Sequence, residues 1–195
     1  MMDHTAPVVL ATTTAAEDDA LAAVAVDRGV PVVRGPVDDV LRRFVMTARR
    51  FGAKYIVRAT ADNPAVDIDA PRRTLGALVG SGADYVVETG LPYGACVEAM
   101  TAAALDRADA MATAVSDREH VTPLLRRHSS FRAIEVAAPI ELRRPDLRLT
   151  VDTAEDLNFL RTTVGPLYDL VREPPLKAVI YAADTVACDE LAVAS

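Results

Sequence analysis

Three short polar segments carry the residues whose types and spacing suit chemistry. The first, Thr60-Ala61-Asp62-Asn63-Pro64-Ala65-Val66-Asp67, follows the β-type run Lys54–Ala59. An acidic side chain just past a buried strand is well placed to hold a divalent metal on a phosphate. The same residues also read as a plain turn, because Asp, Asn and Pro all favour turns. The second segment, Arg148-Leu149-Thr150-Val151-Asp152-Thr153-Ala154-Glu155-Asp156-Leu157, is an apolar strand running into an acidic helix start. Thr153 with Asp156 three residues on has the form of a capping box. Asp152 precedes that cap, so it is either one more acid serving the helix dipole or a partner for Asp62 over one Mg²⁺. Magnesium typically takes one or two protein carboxylates and completes its shell with phosphate oxygens and water. The third segment, Asp117-Arg118-Glu119-His120-Val121-Thr122-Pro123, offers His120 for a hydroxyl or carboxylate, or is a helix entry with solvated charges. Asp67-Ile68-Asp69 also makes an Asp-x-Asp pair of the kind metal-dependent sugar transferases use, a match close to chance in a chain this rich in aspartate.

Short β-type blocks alternating with helical ones must position these segments. Pro7–Thr12, Val30–Arg34, Lys54–Ala59 and Asp84–Glu88 read as strands; Glu17–Arg28, Val37–Phe51 and Ala70–Val79 read as helices. Val40, Leu41, Phe44, Val45 and Ala48 make one apolar stripe on the second helix. Gly29 and Gly52 stop the first two helices. This order argues for a mainly parallel sheet covered by helices, with ligands beyond the carboxyl ends of the strands. The second half is less regular. Ala95–Met100, Phe131–Val136 and Arg148–Val151 read as strands, Thr101–Met111, Asp117–His128 and Thr153–Thr163 as helices, and Ala178–Tyr181 as a last strand.

Composition narrows the classes. The 195 residues are 51% hydrophobic and 25% charged with a formal net charge of −7. The apolar blocks suffice for a core. No run approaches the roughly 20 apolar residues of a membrane span, and an acidic balance argues against a nucleic-acid backbone as partner. Cys96 and Cys188 are too few and too far apart for a disulfide framework or thiolate zinc site. The first residues carry no signal-peptide pattern, so the expected location is cytoplasmic.

Together the segments resemble the acylneuraminate and 3-deoxy-manno-octulosonate cytidylyltransferase family, in its spore-coat polysaccharide protein F-like branch. The ordered matches are Val9–Thr13, Glu17-Asp18-Asp19, Arg34-Gly35, Asp38–Leu41, Val57-Arg58 through Asp62 and Pro64, Ser81–Val86, Asp117–Pro123 and Leu147–Thr153 with Glu155-Asp156-Leu157. The resemblance implies an α/β, Rossmann-like three-layer nucleotide-diphosphosugar-transferase fold and a transfer of CMP from CTP to a sugar acid or related acceptor. It implies Asp62 and Asp152 as catalytic Mg²⁺ ligands, and Arg58, Asn63, Glu98, Arg118, His120 and Arg148 as substrate contacts.

The sequence also departs from that family. The family's first strand and its basic, glycine-rich phosphate loop have no counterpart here, and Ala61 stands where the family has glycine. The expected organisation is therefore a domain over 1–165 with its first strand missing or replaced, and a tail over 166–195 that docks Ala178–Ala182 as a replacement strand. The expected partners are CTP and a small sugar-acid-like acceptor, with a homodimer or a second polypeptide completing the N-terminal side. A non-catalytic binding subunit and a glycosyltransferase of related fold are the alternatives.

Overall fold

The structure is a computed structural model that describes residues 7–193, with side chains described to 186. Two compact units interleave along the chain: Met1–Ile56 with Thr101–Arg132, and Val57–Met100 with Ala133–Ser195.

In the first unit, β1 (Leu10–Thr13) lies parallel to β2 (Val32–Gly35), joined by α1 (Asp19–Asp27). Gly29, at φ 71°, ends the helical block as expected. No strand pairs with the other edge of β1 among the described residues. The stripe on α2 (Val40–Arg50) buries Leu41, Val45 and Ala48, and α2 packs on α4 (Ala102–Met111), which buries Ala104, Leu105 and Ala108. Thr101 caps α4 by accepting from the Ala104 amide. The expected helix over Asp117–His128 is broken into α5 (Val115–His120) and α6 (Pro123–Arg127). Pro123 sits in the first turn of α6, where a missing N–H costs nothing.

A four-stranded sheet ordered β3-β5-β4-β6 belongs mainly to the second unit, with β3 at Tyr55–Arg58, β4 at Tyr85–Thr89, β5 at Glu98–Thr101 and β6 at Ala133–Ala137. β4 is parallel to β6 and antiparallel to β5, with Tyr85 opposite Met100 and Ala133. α3 (Ala70–Ser81) packs against β4, and α7 (Ala154–Thr163) starts at the expected capping box of Thr153 and Asp156. The strands divide into a parallel pair and a mixed quartet, in which β5 runs antiparallel to β4.

Two strand expectations are corrected. Arg148–Val151 is no strand; it makes a single bridge, Arg148 to Tyr93. Ala178–Tyr181 lies inside the helix α9 (Leu176–Val193), which follows α8 (Gly165–Leu170). The reason is periodicity: Leu176, Val179, Ile180 and Ala183 are buried while Tyr181 is 75% exposed, the i, i+3, i+4, i+7 spacing of a helix face. That face joins Ala65, Leu91, Leu142, Leu149 and Leu160 in the core of the second unit. The tail therefore supplies no replacement strand.

Asp18 ties the end of β1 to α1, accepting from Thr13 Oγ1 at 2.5 Å, Thr12 Oγ1 at 2.7 Å and the Thr13 amide at 3.0 Å. These donors, that of the Thr13 hydroxyl foremost, hold its carboxyl at about 2. A depressed carboxyl stabilises the fold fully above its unfolded value near 3.8 and loses that contribution as pH falls through about 2. An NMR carboxyl titration should place Asp18 near the lower value, and Thr13→Val should move it up towards the ordinary range.

Candidate active site

The second unit brings six of the eight predicted residues into its loops and strand ends. β3 ends in Arg58, whose guanidinium donates to Glu98 Oε2 at 2.5 Å. The Tyr85 hydroxyl donates to Glu98 Oε1, also at 2.5 Å. Glu98 is buried on β5, so a cation and a phenol compensate a carboxylate that burial alone would disfavour. Sequence reading missed Tyr85; its signal was a tyrosine at an inward-facing strand position, since a buried phenol needs a partner.

Beyond β3 the chain turns at Thr60–Asn63, where the Asn63 side-chain amide donates to Thr60 Oγ1 at 2.6 Å and the Asn63 backbone amide to the Thr60 carbonyl at 3.2 Å. The turn reading and the ligand reading of this segment are thus compatible, because the turn leaves the Asp62 side chain exposed. The Asp62 carbonyl accepts from the Val151 amide at 2.8 Å. One residue later, Asp152 stands before the cap of α7. The two aspartate segments, distant in sequence, are therefore laced together by backbone.

Gly94 makes that lacing feasible. Tyr93 donates to the Leu147 carbonyl at 2.8 Å and accepts from the Leu149 amide at 2.7 Å. Gly94 follows at φ 94°, and a Cβ there would meet Thr150 N at 2.9 Å and both Asn63 Oδ1 and Leu149 C at 3.0 Å. A side chain would wedge apart the loops that carry Asp62 and Asp152.

Arg148 completes the loop. It donates to Asp156 Oδ1 at 2.9 Å and to Asp152 Oδ2, and its guanidinium lies 5.2 Å from the Tyr93 ring centroid. Asp156 also accepts from the amides of Asp152 and Thr153, each at 2.9 Å. The Arg148 bond first, then the Asp152 amide, hold its carboxyl far below the usual carboxylate range. The acids at this helix start thus serve the cap and fix Asp152 at once.

The other Asp-x-Asp has a structural occupation. Asp67 is buried, pairs with Arg73 and accepts from the Asp69 amide at 3.1 Å.

Arg118 and His120 belong to the first unit. The Arg118 guanidinium reaches Asp109 Oδ1 at 2.5 Å, Asp39 Oδ2 at 3.2 Å and the carbonyls of Asp109 and Ala112 at 2.7 and 2.9 Å. It pins α5 to α4 and the start of α2. His120 is exposed at the end of α5. Next to it, Val121 adopts φ 70°, ψ −53°, and the Thr122 amide donates to the His120 carbonyl at 2.8 Å. This is a γ-turn of the rare, strained hand. It is held by the burial of Val121 and by Arg127 forking onto Asp117 at 2.5 and 2.6 Å.

A helix-flanked, partly parallel sheet with acids gathered in the loops beyond its strands is the architecture of a Rossmann-like nucleotidyltransferase fold. Comparison with known proteins narrows it. The cytidylyltransferase family profile matches residues 1–182, and the chain belongs to that family. It is 34% identical over 169 residues to the spore coat polysaccharide biosynthesis protein SpsF of Bacillus subtilis, a match covering 86% of this chain and 69% of SpsF. It is 34% identical over 153 residues to an uncharacterized protein of Methanocaldococcus jannaschii, covering 78% of this chain and 63% of that one. A solved cytidylyltransferase from Leptospira borgpetersenii serovar Hardjo-bovis superposes with a TM-score of 0.83 at 25% identity, over 93% of this chain and 76% of the other. The chain thus spans about two thirds of the curated relatives it matches. No described helix is long and apolar enough to cross a membrane.

Gly94→Ala should destabilise the second unit by about 1–3 kcal/mol, read from urea unfolding, because strain at positive φ adds to a clash with backbone. Tyr85→Phe should cost about 1.5–3 kcal/mol by the same measurement, as it removes a hydrogen bond to a buried charged group.

Proposed function

We propose that the chain acts as a nucleotidyltransferase that passes CMP from CTP to a sugar acid or related acceptor and releases pyrophosphate. The observation that carries this reading is the lacing of the Asp62 turn to the Asp152 helix start through the Val151 amide. It sets two exposed aspartates on neighbouring loops, where a nucleotide triphosphate would approach beyond the strands.

The donor set suits a hard cation. Among the described residues no group of three or more His, Cys, Asp or Glu comes together to hold a metal unaided. Asp62 and Asp152 would thus supply part of the shell of a Mg²⁺ ion, and phosphate oxygens and water the rest. When bound, that ion would neutralise phosphate charge and favour in-line displacement at the α-phosphorus.

The chain's own groups position. Arg148, fixed by Asp156 and stacked over Tyr93, holds the Asp152 carboxylate in one orientation. The Asn63 side chain, tied to Thr60, keeps the Asp62 turn in shape. Glu98, braced by Arg58 and Tyr85, offers a fixed carboxylate on the acceptor side. The acceptor oxygen would attack the α-phosphorus while the bond to pyrophosphate breaks. Arg118, spent on Asp109 and Asp39, holds the helix that carries His120 within the first unit.

Calorimetry with CTP tests the reading. Binding should require Mg²⁺ and fall by at least about tenfold in Asp62→Ala, the equivalent of one lost charged contact. Absence of CTP binding, or binding indifferent to both Mg²⁺ and the substitution, would overturn it.

A further inference from the structure

The second unit holds a cavity of about 360 Å³ with no part in the site above. It lies against α3, β4 and the end of β6. Ala77, Val86, Val136, Ala137 and Pro139 make apolar walls; Arg73, Glu88 and Arg143 also line it. A mostly apolar hollow of a few hundred Å³ with a few fixed polar groups is the usual form of a small-molecule site.

The charged groups differ in what they have left to give. Arg73 donates Nε and Nη2 to the two oxygens of Glu88, each at 2.7 Å, and pairs with Asp67 as well. Both carboxylates, nearly fully buried, are thereby spent. Arg143 is held only at its inner end: Nε donates to the Ala138 carbonyl at 2.7 Å, and its stem lies against Gly90, where a Cβ would sit 3.3 Å from Arg143 Cγ. The Arg143 side chain is exposed, and among the described residues its hydrogen bond is that of Nε alone, while Arg73 uses Nε and Nη2, leaving the Arg143 terminal nitrogens at the mouth of the cavity open to a ligand. The four charges sum to zero, so an incoming anion meets no net repulsion, and the unspent groups are all donors.

We infer that this cavity binds an organic carboxylate with an apolar body, its carboxylate on Arg143 and its body against the alanine and valine walls. Guanidinium forks favour carboxylates geometrically, and the apolar walls exclude a bare inorganic ion as the best fit. The inference stands apart from CTP binding.

Methyl NMR with benzoate and the uncharged isostere benzamide is the direct test. Benzoate should shift the methyls of Ala77, Val86, Val136 and Ala137 saturably, and benzamide should bind about tenfold more weakly or worse. Arg143→Gln should lose the benzoate effect by a similar factor while the remaining spectrum is kept. No shifts at these methyls, equal response to the two probes, or undiminished binding in Arg143→Gln would overturn the inference. Should Arg143→Gln fail to fold, the contrast between probes on the unaltered chain still decides it.

Discussion

One hydrogen bond, from the Val151 amide to the Asp62 carbonyl, does most to make this chain more than a set of loops. It joins the turn after β3 to the start of α7 and fixes where both aspartates stand. It can form only because Gly94 leaves room for Leu149, Thr150 and Asn63 to converge. Backbone bonds of this kind tolerate side-chain change well and tolerate steric intrusion badly, so the glycine matters more to the site than many of the polar groups around it.

Around that stitch, arginine does the internal fastening. In an acidic chain whose only lysines are Lys54 and Lys177, guanidiniums tie carboxylates in pairs and trios: Arg58 with Glu98, Arg73 with Asp67 and Glu88, Arg118 with Asp39 and Asp109, Arg148 with Asp152 and Asp156. The planar fork suits two oxygens at once. Exposed pairs such as that of Arg148 contribute little to stability; their effect is orientation. Buried ones such as the Arg73 trio would leave uncompensated charge if broken. The same chemistry thus serves packing at α3 and α5 and geometry at Asp152. An arginine in a motif is for that reason weak evidence of ligand contact.

The residues most legible in the sequence are those whose signal is local. The cap of Thr101, the capping box of Thr153 and Asp156 and the stripe of α2 lie where period and side-chain chemistry place them. A meeting of the Asp62 and Asp152 segments is an expectation the acidic segment ends allow, but the bond that joins the two segments is between backbone atoms and leaves no mark on residue type. Tyr85 and Gly94 each carried a faint signal, an inward tyrosine and a glycine in a turn, with nothing local to name their partners. The tail departs from its strand expectation for a different reason. Ala178–Tyr181 is apolar in every position, and only the wider spacing from Leu176 to Ala183 reveals the helix. Short apolar runs do not distinguish strand from helix. Likewise, the strained γ-turn at Val121 is set by tertiary packing against the preference of a β-branched residue.

On the proposed reading Asp62 and Asp152 serve one cation site. Amide NMR with substoichiometric Mn²⁺ and CTP tests it most directly. The account predicts that the strongest broadening appears together at Asp62–Asn63 and Asp152–Thr153. Broadening centred on Asp67 and Asp69, or on one of the two segments alone, would contradict it.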